Sequence, residues 1–105
     1  MTVLAVLAAL LSGLLGVVTR GPTTPVCRPD KPCSAPYAHA TLVFTGAAAS
    51  KRVTTDAKGA YRIALAPGRY AVRVQRAQFG WKPLFVTVPR GRYGYANVYV
   101  DTGIR

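Results

Sequence analysis

Thr55-Asp-Ala-Lys-Gly-Ala-Tyr-Arg-Ile-Ala-Leu-Ala-Pro-Gly-Arg-Tyr-Ala-Val72 is the stretch on which the fold of this chain turns. It packs two strands and two turns into a short span. Asp56-Ala-Lys-Gly59 supplies a turn acid and a glycine free to take positive φ, and Pro67-Gly68 presets one φ and frees the next. Between the turns, Tyr61, Ile63 and Leu65 alternate with Arg62 and Ala64. After the second turn, Tyr70, Val72 and Val74 alternate with Ala71, Arg73 and Gln75. A period of two bracketed by turn residues is a β-meander with one buried face.

Working outward, the same grammar recurs. Ala40 to Thr45 sets Ala40, Leu42 and Phe44 against Thr41, Val43 and Thr45, a second strand. Gly46 to Ser50 is a turn region. Lys51-Arg-Val-Thr-Thr55 is a short polar strand, expected at a sheet edge where its cations discourage aggregation. Leu84 to Val88 forms another strand with Leu84, Val86 and Val88 on one face. Pro89 to Gly94 turns the chain, and Tyr95 to Val100 is the last strand. Counted from Leu14, about seven strands at sandwich-like spacing result. The expected core is Leu42, Phe44, Tyr61, Ile63, Leu65, Tyr70, Val72, Val74, Val86, Val88, Val98 and Val100. Tyr70, just after the Pro-Gly turn, is placed to hydrogen-bond back to the backbone as a tyrosine corner.

The run from Asp56 through Gly59 and Tyr61 to Leu65, Pro67, Gly68 and Tyr70 resembles the T-D-x-x-G-x-Y-x-x-x-L-x-P-G-x-Y-x-V core of carboxypeptidase regulatory-like domains. The resemblance extends to Gly16–Pro22, to Cys27 and Cys33, and to Asp101–Arg105, and so covers about residues 14–105. It implies an all-β, transthyretin (prealbumin)-like sandwich of the kind that occurs as a non-catalytic module beside enzymes and alone in secreted bacterial proteins.

The 105 residues allow one small domain. Fourteen Lys and Arg face three Asp and no Glu, for a formal charge of +11. Such a surface attracts polyanions, whether nucleic acid, anionic lipid or wall polymer, even where its only role is to be solvated. Residues 1–19 carry no charged side chain, and Val3 to Leu11 has the length of a signal-peptide h-region. The expected division is a helical signal peptide or N-terminal anchor over 1–13 and the sandwich over 14–105. Ser12-Gly13 is the best small-residue break. An uncleaved run to Val18 is slightly short for a membrane span, and membrane contact is expected only through residues 1–18.

Residues 21–37 hold five of the eight prolines and are expected to form a loop outside regular ladder pairing. Cys27 and Cys33 lie within it. Two cysteines and the lone His39 do not make a zinc set. In an exported chain a disulfide is the plain reading, stabilising by roughly 2 kcal/mol in the chain-entropy estimate.

Catalysis is nearly excluded by inventory. Asp30, Asp56 and Asp101 are each accounted for locally, neither Ser34 nor Ser50 sits in a nucleophile-elbow motif, and no phosphate-cradling glycine loop is present. No cofactor or metal is expected. The best binding candidates are Phe79 and Trp81, which could stack on a sugar ring with Arg76 and Lys82 holding an anionic group. Against this, a sandwich of this size needs a large residue to plug one end of its core, and Trp81 is placed to be that plug. Arg90-Gly-Arg-Tyr-Gly-Tyr95 interleaves cations with tyrosines as single-strand binders do, or packs tyrosines on a sheet edge. Asp101 is placed to pair with Arg105 or to cap a turn. Three functions are open: a structural or protein-interaction module at the cell envelope, a carbohydrate or anionic-polymer binder, and a basic nucleic-acid-binding domain. The first requires a flat surface and a sheet edge available for pairing.

Overall fold

A computed structural model describes residues 12–28, 30 and 33–104. Of the expected N-terminal helical segment over 1–13, residues 1–11 lie outside the described residues, and Gly13 opens a strand instead. Residues 13–18 of the apolar run lie in the first strand, and among the described residues no helix is long and apolar enough to cross a membrane.

The described chain is all-β, with ten strands in two sheets: β1 Gly13–Gly21, β2 Ala35–Pro36, β3 Thr41–Thr45, β4 Ser50–Thr54, β5 Ala60–Ala64, β6 Gly68–Val74, β7 Trp81–Lys82, β8 Phe85–Val88, β9 Tyr93–Tyr95 and β10 Val98–Asp101. One sheet is an antiparallel array in the order β4-β3-β6-β8. The other is built on β1. The first half of β1 pairs antiparallel with β5 and parallel with β9, and its second half pairs with β2 and β10. β7 extends that sheet beyond β10.

Both sheets turn alternate residues inward, and the two inner sets meet in one apolar cluster. Leu14, Val18, Tyr61, Ile63, Val98 and Val100 come from the first-strand sheet, and Leu42, Phe44, Val72, Val74 and Val88 from the other. This two-layer arrangement is compatible with a sandwich. All twelve expected core residues are buried or half-buried, Tyr70 and Val86 being the half-buried ones. Leu14, Val18, Ala40 and Ala96 join them. Phe44 lies against Tyr61 with ring centroids 5.9 Å apart.

The deciding stretch folds as its residues dictate. Asp56 Oδ1 accepts from the backbone N–H groups of Lys58 and Ala60 at 2.8 and 2.9 Å. Gly59 takes φ 78°, and a Cβ there would stand 2.5 Å from the Val18 carbonyl oxygen. Only glycine satisfies both conditions. The Tyr70 hydroxyl donates to the Ala66 carbonyl at 2.7 Å across the Pro-Gly turn, which is the expected corner.

Four expectations need correction. The strand count rises from seven to ten, because three strands have only two or three residues and the last one splits. β9 and β10 keep one register against β1 but are interrupted at Ala96–Asn97, where the Asn97 side-chain oxygen accepts the Val17 N–H at 2.9 Å. The proline loop is not wholly outside the ladders: Ala35 and Pro36 pair with Arg20 and Thr19 at an edge, where a missing N–H costs little. β1 begins at Gly13 rather than Leu14. Finally, Leu84 does not share the face of Val86 and Val88. Between Lys82 and Phe85 the chain crosses from one sheet to the other, and Leu84 at the crossing is 58% exposed.

Candidate functional site

The loop between β6 and β8 carries all four candidate residues. Trp81 opens β7 opposite Val100, is half-buried against the core, and donates its indole N–H to the Val72 carbonyl at 2.9 Å. Phe79 is 57% exposed and lies over the backbone of Gly103, in a depression shared with Arg20, Tyr37 and Asp101. Trp81 borders a different depression, beside Arg73 and Gln78. Arg76 lines both, and Lys82 lies 5.4 Å from the centre of the Tyr99 ring. The two depressions adjoin, sharing Arg76, Ala77 and Gln78.

In the Arg90–Tyr95 strip, Tyr93 is covered by the Arg62 guanidinium at 4.2 Å, whereas Tyr95 is 82% exposed. The turn itself is tied down, because the Gly91 N–H donates to Ser12 Oγ at 2.9 Å. Asp101 caps a turn, its carboxylate accepting the Gly103 N–H at 2.8 Å. Arg105 lies outside the described residues. Cys27 and Cys33 form a disulfide with Cα atoms 5.3 Å apart.

Of the groups with catalytic potential, His39, Ser34 and Ser50 are exposed, with His39 in a turn. The N–H groups of Ala60 and Lys58 hold the Asp56 carboxyl below its ordinary range, and His39 stands near enough to help lower it. Burial pushes the Tyr61 hydroxyl up to about 12, and that hydroxyl donates to the Ala96 carbonyl. Both groups do structural work. Among the described residues no cluster of three His, Cys, Asp or Glu could hold a metal ion. A depression of about 400 Å³ between residues 46–49 and 64–70 is walled largely by Ala and Gly. Its polar side chains are already engaged: Lys51 Nζ donates to the Ala64 carbonyl at 3.3 Å, Tyr70 to Ala66, and Arg69 lies over Phe85 at 4.4 Å.

The edges of the β4-β3-β6-β8 sheet offer more. The Val72 N–H donates to the Leu84 carbonyl at 2.8 Å, and the register then runs Tyr70 opposite Val86 and Gly68 opposite Val88. In an antiparallel ladder the backbone groups of alternate residues point to opposite sides. The N–H and C=O of Phe85 and Thr87 therefore point away from β6, along an edge with no further strand among the described residues. Exposed Leu84 and Phe85 flank these groups. At the opposite edge the outward groups belong to Ser50, Arg52 and Thr54, since Thr55 N–H donates inward to Ala40. That edge carries Lys51 and Arg52 and no large exposed apolar side chain.

Sequence reasoning placed β4 at an edge but missed β8 as the open one. The signal available was the pair Leu84-Phe85 between Pro83 and Pro89, prolines being common beside edge strands. Comparison of the chain with known protein families, with curated proteins and with solved structures finds no match.

Proposed function

We propose that this protein is a non-catalytic interaction module of the cell envelope that binds a partner by adding an extended, acidic protein segment to the β8 edge. The observation that carries this reading is the pair of unpaired backbone positions at Phe85 and Thr87 beside exposed Leu84 and Phe85. Strand addition draws its affinity from such backbone groups and its selectivity from alternate side chains. Charge supplies the acidic preference: between Asp56 and Asp101 the chain has eight Lys and Arg and no acid. Lys82 and Arg90 bracket β8, and Arg69 lies over Phe85.

Export of the chain by its apolar N-terminal segment, and membership of the carboxypeptidase regulatory-like sandwiches, belong to the same proposal. The Cys27–Cys33 disulfide accords with an oxidising compartment, and the Tyr70 corner and the Asp56 turn accord with the family motif. Ser12 is fully buried, with its carbonyl accepting the Leu65 N–H at 3.0 Å. A cleavage that preserves the fold therefore falls before Ser12, which N-terminal sequencing of the exported protein checks.

The test of the binding mode is calorimetry with the peptide acetyl-Asp-Val-Asp-Val-Asp-Val-amide and its Lys-for-Asp counterpart. The acidic peptide binds the wild type and loses at least tenfold in affinity to Thr87→Pro. That substitution removes only an N–H that β6 does not use, so the melting temperature holds. Equal binding by Thr87→Pro, or preference for the Lys peptide, overturns the reading.

A further inference from the structure

The solvent face of the β4-β3-β6-β8 sheet has a chemistry separate from its edge. The register places Arg52, Val43 and Arg73 in one row across β4, β3 and β6. A second row runs Ser50, Thr45, Ala71 and Phe85, and a third sets Arg69 beside Thr87. Thr41 and Thr54 share the face, with their hydroxyl oxygens 3.4 Å apart. Arg52, Arg69 and Arg73 are all exposed, and none of the four strands contains an Asp or Glu. The nearest acid along the chain, Asp56, is held in its own turn by two backbone N–H groups.

Strand geometry sets the spacing of these cations. Neighbouring strands lie about 4.8 Å apart, so the backbones at Arg52 and Arg73 stand roughly 10 Å apart with Val43 between them. Arg69 follows about 13 Å along β6 from Arg73. Guanidinium groups at this spacing, interspersed with hydroxyls on a flat surface, suit an extended chain carrying anions at short intervals. They do not suit a small ligand, which needs donors converging in a cleft. Guanidinium groups also match phosphate oxygens with two parallel donors.

The aromatic content of the face narrows the polymer further. A single-stranded nucleic acid is held by bases stacked on free rings. The one ring on this face is Phe85, 52% exposed with the Arg69 guanidinium 4.4 Å from its centre. A single ring gives no row of platforms for successive bases, so the face suits a charged backbone better than a run of bases.

We infer that the Arg52–Arg73–Arg69 face holds a base-free polyphosphodiester, a polyol phosphate chain of the envelope, and so anchors the module while the β8 edge remains open to its partner. Three neutralised phosphates predict a log K against log salt slope of about −2 to −3.

The experiment titrates the full-length protein, disulfide intact, with a twelve-unit poly(glycerol phosphate) and with oligothymidylate of equal phosphate number. The variants are R52Q/R73Q, R52Q/R69Q/R73Q and R90Q/R92Q, each first matched to the wild type in denaturation midpoint. The glycerol phosphate chain binds the wild type at least as tightly as the oligonucleotide does. R52Q/R73Q lowers that affinity at least tenfold, and R52Q/R69Q/R73Q abolishes the salt dependence. R90Q/R92Q, which removes equal charge elsewhere, changes affinity less than threefold. Tenfold tighter binding of the oligonucleotide overturns the inference. So does an equal loss in R90Q/R92Q and R52Q/R73Q, because net charge alone then accounts for retention. The strand-addition reading is tested separately, by peptide.

Discussion

The two edges of one four-stranded sheet are treated differently by this sequence. β4 ends the sheet with Ser50-Lys-Arg-Val-Thr54, where an incoming strand meets two cations at its centre. Lys51 also reaches across to the Ala64 carbonyl of the other sheet, tying the two layers together at that side. β8 ends the sheet with Phe85-Val-Thr-Val88, preceded by Leu84, and Leu84 and Phe85 are more than half exposed. Soluble β proteins blunt their edges because open edges aggregate. In the strand-addition proposal, the edge left open beside a defended one is where the partner docks.

The largest way to break the contrast is to remove the support both edges share. Phe44 lies on β3, fully buried between the layers. Phe44→Ala costs about 3–5 kcal/mol, read as a lower denaturant midpoint, and both edges then lose their distinct amide protection together.

A sharper experiment transfers the property. Lys51→Val with Arg52→Val gives β4 an apolar edge while leaving the ladder to β3 intact. The expected outcome is concentration-dependent association in analytical ultracentrifugation at concentrations where the wild type sediments as a smaller species. Unchanged sedimentation would mean that charge at β4 is not what keeps that edge closed.

Tyr70 holds the turn from which β6, the neighbour of β8, departs. Removing its hydroxyl in Tyr70→Phe costs about 1 kcal/mol, with faster amide exchange at Tyr70 and Val86 than at β4. Equal acceleration at both edges would show that the corner serves the whole sheet.

The smallest effects are those of pH, and they lie outside this sheet. The folded state raises the Tyr61 pKa to about 12, so its contribution is intact below about pH 10 and is lost as pH rises towards 12. Tyr61→Phe removes that alkaline loss from the pH–stability curve. The Asp56 carboxyl is depressed, so its contribution holds above the ordinary carboxylate pKa and fades as pH falls through the lower folded value. Asp56→Ala flattens the acid limb.

How much of this was legible in the sequence follows from how local each signal is. The Asp56–Gly59 turn, the alternation through Leu65 and Val74, and the Tyr70 corner are set by neighbours within a few residues, and all appear as expected. Leu14 and Val18 were hidden because an apolar run near a chain start has the composition of an export segment as well as of a buried strand. Leu84 was misplaced because the crossing between sheets is a long-range event invisible to a period of two. Arg73 was legible as outward-facing, but its row with Arg52 and Val43 depends on the register of three strands. The Phe79–Trp81 pair shows the same limit: closeness in sequence put two rings in one loop, and only the fold shows the Trp81 indole donating to the Val72 carbonyl while Phe79 is 57% exposed.

The most direct test of the account is a backbone amide NMR titration of the protein with the alternating Asp-Val peptide. The account predicts that the amides of Phe85 and Thr87 shift and become protected from exchange while those of Arg52 and Thr54 stay unchanged. Shifts confined to Phe79 and Trp81, or of equal size at both edges, would contradict it.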